Sequence, residues 1–141
     1  MHVTIKEIQA DVWRMGEKIN APAPLLIVRD SPSPDGSAYV EISHEGMAFV
    51  SSERGMELSR KNADSMDEIL YLILSRVAKR MGMKYELNNR VPGQDSRRMY
   101  FSKWISLLDQ INGEWGDRAR KEVDQILTAA PYNDVGSLDI R

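Results

Sequence analysis

The apolar positions of this chain change their period twice, and the changes mark its elements. Between residues 4 and 19 they fall at Ile5, Ile8, Val12, Met15 and Ile19, intervals of three and four that line one face of a helix. Thr4 precedes that stripe and suits its N-cap. Asn20-Ala-Pro-Ala-Pro24 ends it, because a residue before proline is pushed away from the helical region. The period then falls to two. Leu25–Val28 predicts a short strand, and Tyr39–Ser43, Met47–Ser51 and Met56–Arg60 predict three more. In the second of these, Val40 and Ile42 share one face while Glu41 and Ser43 share the other. The run Asp30-Ser-Pro-Ser-Pro-Asp-Gly-Ser37 has turn chemistry throughout, and the glycines of Glu45-Gly46 and Arg54-Gly55 permit the positive φ of tight hairpins. These strands form a four-stranded antiparallel β-meander.

From Asp64 the helical period returns. Ser65-Met-Asp-Glu68 fits a capping box, in which Ser65 accepts from the Glu68 amide and the Glu68 side chain reaches back. Met66, Ile69, Leu70, Ile73, Leu74, Val77 and Met81 then recur every three or four residues. Gly82 weakens the end of that stripe, leaving Met83–Leu87 either a continuation or an exit. After the Val91-Pro-Gly93 loop, a helix from Asp95 carries Phe101, Trp104, Ile105, Leu108 and Ile111 on one face. Another, capped near Asn112, carries Trp115, Ala119, Val123, Ile126, Leu127 and Ala130 before Pro131 closes it. The order predicts an α+β fold: an N-terminal helix, the meander, then three amphipathic helices packed together and on one face of the sheet. At 141 residues the chain reads as a single domain, 1–141.

Composition narrows the function. The absence of cysteine removes thiolate nucleophiles, disulfides and cysteine-bound zinc. The longest apolar run, Ile69–Leu74, is far short of the ~20 residues of a membrane helix. No secretory signal is visible, so the expected location is the cytoplasm. A net charge of −2 argues against direct nucleic-acid binding. The charge is unevenly spread, however. Asp30, Asp35, Glu41, Glu45 and Glu53 lie in a stretch without Lys or Arg, whereas acids and bases balance at twelve each from Asp64 onward. That acidic stretch is either a solvated strand face or a patch that docks on a basic partner.

Candidate chemistry is sparse. His2 and His44 are the only histidines, and neither a HExxH spacing nor a phosphate-binding glycine loop is present. His44 beside a turn reads as an exposed polar residue. Glu41 and Glu53 could face one another across the meander, and paired carboxylates can hydrolyse glycosides. Nothing else points to a sugar cleft, so the chain reads as a non-enzyme that needs no metal or other cofactor. Trp104 and Trp115 fall on core stripes, and most methionines do too. Trp13 lies one step off its stripe, which suits either a broad core face or a half-exposed partner anchor.

One short stretch, Gln94-Asp-Ser-Arg-Arg98, carries more. Asp95 suits the N-cap of its helix, but Arg97 and Arg98 in the first turn oppose the helix dipole. Bidentate pairing with a neighbouring carboxylate, for which Glu86 and Glu68 are candidates, would offset that, and a partner-facing role is the alternative. The run Asp67-Glu-Ile-Leu-Tyr71, then Tyr85-Glu-Leu87, Arg90, Gly93-Gln-Asp-Ser-Arg-Arg98, Phe101, Leu107-Leu108 and Glu114-Trp115 resembles the immunity protein 63 family. Ser52-Glu-Arg-Gly55 and Ser59-Arg-Lys61 also resemble it, so that the likeness covers about residues 38–133. The resemblance implies a small α+β protein of bacterial polymorphic toxin systems, of the contact-dependent inhibition kind, encoded beside a toxin and binding it. The partner it implies is a cognate toxin domain. A nuclease, whose groove is basic, would suit Asp30, Asp35, Glu41, Glu45 and Glu53, with Trp13 or Tyr39 as an apolar anchor. The alternative is a non-catalytic adaptor. The chain is expected to be a monomer, or a weak homodimer through the meander edge.

Overall fold

The computed structural model describes residues 3–53 and 56–134. The chain divides into two compact units, Met1–Leu74 and Ser75–Arg141. In the first, helix α1 (Ile5–Glu17) begins with the Thr4 hydroxyl accepting from the Glu7 amide at 3.2 Å and buries Ile8, Val12 and Gly16. Its exit is wound rather than merely interrupted. Asn20 takes the left-handed φ of 53°, and the Ala21 amide returns to the Gly16 carbonyl at 3.0 Å.

The expected strand at Leu25–Val28 does not form. Ala23–Leu26 is a 3₁₀ turn, whose Leu25 amide donates to the Pro22 carbonyl at 3.0 Å. Pro22 and Pro24 lack the amides a ladder needs and fix φ near the value such a turn uses. The side chain of Gln9 takes the place of a neighbouring strand: its carbonyl accepts from the Val28 amide at 2.8 Å, and its amide donates to the Leu26 carbonyl at 2.7 Å. Gly16 lets α1 lie against this turn, since a Cβ there would overlap the Leu26 side chain.

The sheet has three strands, not four: β1 (Tyr39–Ser43), β2 (Gly46–Glu53) and β3 (Met56–Ala63), antiparallel in the order β1-β2-β3. Gly46, at φ 125°, pairs with Ser43, so the turn residues are His44 and Glu45, one position earlier than the Glu45-Gly46 expected. The Arg54-Gly55 turn lies outside the described residues. Ser51 pairs with Ser59 and Ser52 with Glu57, which leaves Leu58 as an extra residue bulging from β3. Val40, Met47, Ala48, Val50 and Ala63 are buried, while β3 is exposed from Met56 to Asn62.

Helix α2 (Met66–Asn88) starts in the first unit, with the Ser65 hydroxyl accepting from the Glu68 amide at 3.1 Å, and continues through Gly82 into the second. Gly82 therefore does not end it. A Cβ there would come to 3.0 Å from the Tyr100 carbonyl, so the missing side chain admits helix α3 (Ser96–Ile111) at close range. Trp104 of α3 is fully buried and donates from its indole to the Ser75 hydroxyl at 3.1 Å, with the Lys79 ammonium 4.5 Å from its ring. Helix α4 (Gly113–Ala129), capped by Asn112, packs on α3 through Trp115, Ala119 and Val123. A Cβ at Gly116 would overlap the Asp109 carboxylate. Of the apolar positions assigned to these two faces, Ile105 and Leu127 are half-buried, and Ile126 and Ala130 are exposed.

Gln9 offers a test of how the misread segment is held. Gln9→Leu keeps the bulk but leaves the Leu26 carbonyl and the Val28 amide without partners, a loss of about 2 kcal/mol on the usual cost of unsatisfied groups. Urea unfolding should show it, and an unchanged midpoint would mean that water replaces the side chain without penalty.

Candidate functional site

Two groups of polar side chains stand out, one in each unit. In the second unit, the Asp95 carboxylate sits at the start of α3. It accepts from the Arg97 amide at 3.0 Å, from the Arg97 guanidinium at 2.9 Å and from the Asn133 amide at 2.9 Å. Arg97 spends its remaining donors on the carbonyls of Ala130 and Pro131, both at 2.8 Å, where the exposed carbonyls at the end of α4 need partners. Arg98 grips the Asp134 carboxylate at 2.8 Å and lies 4.3 Å from the Tyr132 ring, while the other Asp134 oxygen accepts from the Asp95 amide at 2.6 Å. The motif thus ties the start of α3 to the chain that leaves α4.

This is a different pairing from the one the sequence suggested. Neither Arg97 nor Arg98 uses Glu86 as its carboxylate. Glu86 is buried and forms a two-point ion pair with Arg90, at 2.8 and 3.0 Å, one helical turn on. Glu68 supplies its amide to the Ser65 cap in the first unit. Sequence reasoning missed Tyr132, Asn133 and Asp134; the available signal was an aromatic and an acid directly after the Pro131 stop.

The electrostatics follow from these contacts. The Arg97 guanidinium, helped by the Asn133 and Arg97 amides, holds the Asp95 carboxyl far below its usual range. Arg98 and the Asp95 amide lower Asp134 in the same sense. A carboxyl depressed in the native state stabilises the fold above its unfolded pKa, roughly 4. That stabilisation is lost as pH falls towards the native value. Asp95→Asn should therefore flatten the acid limb of a stability-against-pH curve below about pH 4. At pH 7 it should cost about 1–3 kcal/mol, the range of a lost charged cap bond. An acid limb of wild-type steepness in the variant would refute the assignment.

The first unit holds the acidic stretch, and the structure divides it. Glu41 is not an open carboxylate: Arg60 of β3 reaches it at 2.6 Å and binds Glu57 at 2.8 Å as well. In register, Arg60 pairs with Val50 and Glu41 with Ala48, so this ion cluster lies across the centre strand. Asp35 accepts from the Ser37 amide at 2.9 Å, and bonds from Ser37 and Ser33 bring its carboxyl down to about 2. Asp30 is exposed in the same loop. Glu45 is exposed on the β1–β2 turn, and with Met47, Asn62, Ala63, Asp64 and Glu68 it lines an open cavity of about 500 Å³. Tyr39 is half-buried at the start of β1, and Trp13 is 37% exposed on α1. The Glu53 side chain and His2 lie outside the described residues. Because Glu53 pairs with Met56 and Glu41 with Ala48, the register does not set those two acids opposite one another. Among the described residues no group of three or more His, Asp or Glu is arranged to hold a metal ion.

A family profile described as Immunity protein 63 matches residues 43–125, more than half of the chain. The match runs from the end of β1 into α4 and contains Asp95, Arg97 and Arg98. No curated protein and no solved structure matches the chain.

Proposed function

This chain belongs to the immunity protein 63 family, and from that membership we propose that it neutralises a cognate bacterial toxin domain by binding it and covering its active site or its substrate path. The family match is the observation that carries this reading. A cytoplasmic site of action fits it, and no helix among the described residues is long and apolar enough to cross a membrane. Blocking a toxin requires a surface, not a reaction, and the chain's polar groups suit that role. Asp95, Arg97 and Arg98 engage partners within their own unit; in this reading they are its framework and not its contact surface.

The contact we propose in the first unit is the acidic side of the sheet. Glu45 projects from a two-residue turn, with Asp64 and Glu68 around the same open cavity and Met47 on its wall. Such a hollow receives a Lys or Arg side chain, Glu45 and Asp64 pairing the charge and Met47 packing the stem. Glu41, on the strand that leads to this turn, adds to it, although Arg60 offsets part of its contribution. Asp30, Asp35 and Glu53 complete the proposed acidic contact as further carboxylates of the same stretch of sequence. Trp13 and Tyr39 supply apolar area for the centre of an interface. Trp13, Asp30, Asp35, Tyr39 and Glu41 all lie outside the matched segment, as residues that fit one particular toxin would. A nuclease with a basic groove is the toxin class that best suits this charge.

The test is co-expression with the toxin domain encoded beside this chain, scored by survival and then by co-purification. Rescue with a stable complex is expected. In that complex Glu45→Lys should slow association by roughly tenfold at low salt, with the difference shrinking as salt rises. If the neighbouring domain kills and the chain neither rescues nor binds, the chain is an adaptor and not its antidote. Association that does not change between low and high salt would remove the acidic contact while leaving immunity intact.

A further inference from the structure

The second half of α2 has an outer face that the fold does not explain. Arg76, Arg80, Met83, Lys84 and Leu87 recur at helical spacing and form one stripe. The other stripe, with Ala78, Gly82 and Glu86, is buried. Three cations and no acid therefore share one face. The other arginines nearby behave differently: Arg90, Arg97, Arg98 and Arg120 each hold a carboxylate. Among the described residues no ion pair engages Arg76, Arg80 or Lys84. Arg76 is half-buried, and burial, followed by the positive field of Arg80, pushes its guanidinium below its ordinary range. Like charges four residues apart oppose the helix that carries them. The stripe also exposes two large apolar side chains, Met83 at 47% and Leu87 at 63%.

We infer that this stripe is a second contact for the toxin domain, one that takes an acidic surface with an apolar centre. Carboxylates of the toxin pair with Arg76, Arg80 and Lys84, and one of its apolar side chains covers Met83 and Leu87. The charge arrangement selects the occupant. A stripe with three cations and no acid calls for an anionic partner, and the exposed methionine and leucine call for a protein surface rather than a phosphate backbone. A second copy of the same stripe would set cations against cations. The inference rests on the proposal that the chain binds a toxin, and it adds a cationic face to the acidic one described above.

Arg80→Glu tests it without endangering the fold, because a carboxylate between Arg76 and Lys84 converts two like-charge pairs into opposite-charge pairs. The variant should melt at or above the wild-type temperature and yet bind the inactivated toxin domain at least tenfold more weakly. Leu87→Ala should also weaken binding, by several-fold, without a change in melting, since that side chain is mostly exposed. Calorimetric titration of wild type and both variants separates the outcomes. Equal affinity across all three overturns the stripe and leaves the immunity reading standing. No binding by wild type overturns both. A single-stranded oligonucleotide that binds wild type but not Arg80→Glu would assign the stripe to nucleic acid and overturn the protein contact.

Discussion

A guanidinium stays charged at any pH a cell reaches, so every arginine in a folded chain is either matched by an acceptor or left for something outside the chain. That constraint sorts the charged surface of this protein. Arg97 is matched by the Asp95 carboxylate and the carbonyls of Ala130 and Pro131. Arg98 is matched by Asp134, Arg90 by Glu86, Arg60 by Glu41 and Glu57, and Arg120 by Asp109 and Asp117. These pairs hold strands to one another, one end of a helix to the next, and the tail after α4 to the start of α3. Among the described residues no ion pair engages Arg29, Arg76 or Arg80, and the last two share a face of α2.

The same sorting explains what could be read in the sequence. Helix positions came through well because their signal is periodic and local: the stripes of α1, α3 and α4, the Thr4, Asp95 and Asn112 caps and the capping residue Ser65 stand where the pattern puts them. Leu25–Val28 misled because four apolar residues in a row suit a strand, a buried turn or a helix equally. What decides between them is the pair of prolines ahead of the run and the distant amide of Gln9, and neither enters an alternation count. The hairpin shifted by one residue because glycine at a positive φ serves either inside a turn or just after it, and Gly46 does the second. Gly82 left the helix end open in the sequence, because a glycine that admits a packing contact looks locally the same as one that ends a helix.

The candidate site was legible in part, for the same reason. Asp95 as a cap is a local inference and stands in the geometry. Arg97 takes its carboxylate from Asp95 two residues back, but its carbonyl partners and the Asp134 partner of Arg98 lie more than thirty residues away in sequence. Offering Glu86 and Glu68 as carboxylates had the chemistry right without naming Asp134. Charge counts were less reliable still. A stretch with five acids and no base looked uniformly negative, but Arg60 lies just beyond its end and folds back over Glu41. The effective negative charge of that stretch is therefore smaller than its composition suggests.

Opposite charge on two faces has a consequence for binding that neither face has alone. A single acidic patch attracts any basic surface, including toxins other than the cognate one, and long-range steering discriminates poorly between them. The cationic stripe proposed as a second contact would disfavour a uniformly basic partner and favour one that also carries acidic surface. Discrimination then comes from the unfavourable encounter as much as from the favourable one. Exposed Met83 and Leu87 sharpen it further, because they reward only a partner that can cover them, and a flexible methionine tolerates small differences in what does so. The internal ion pairs have the complementary role. They engage Arg60, Arg90, Arg97 and Arg98 within the chain, each inside its own unit, so the framework sets which charges would remain available to a partner.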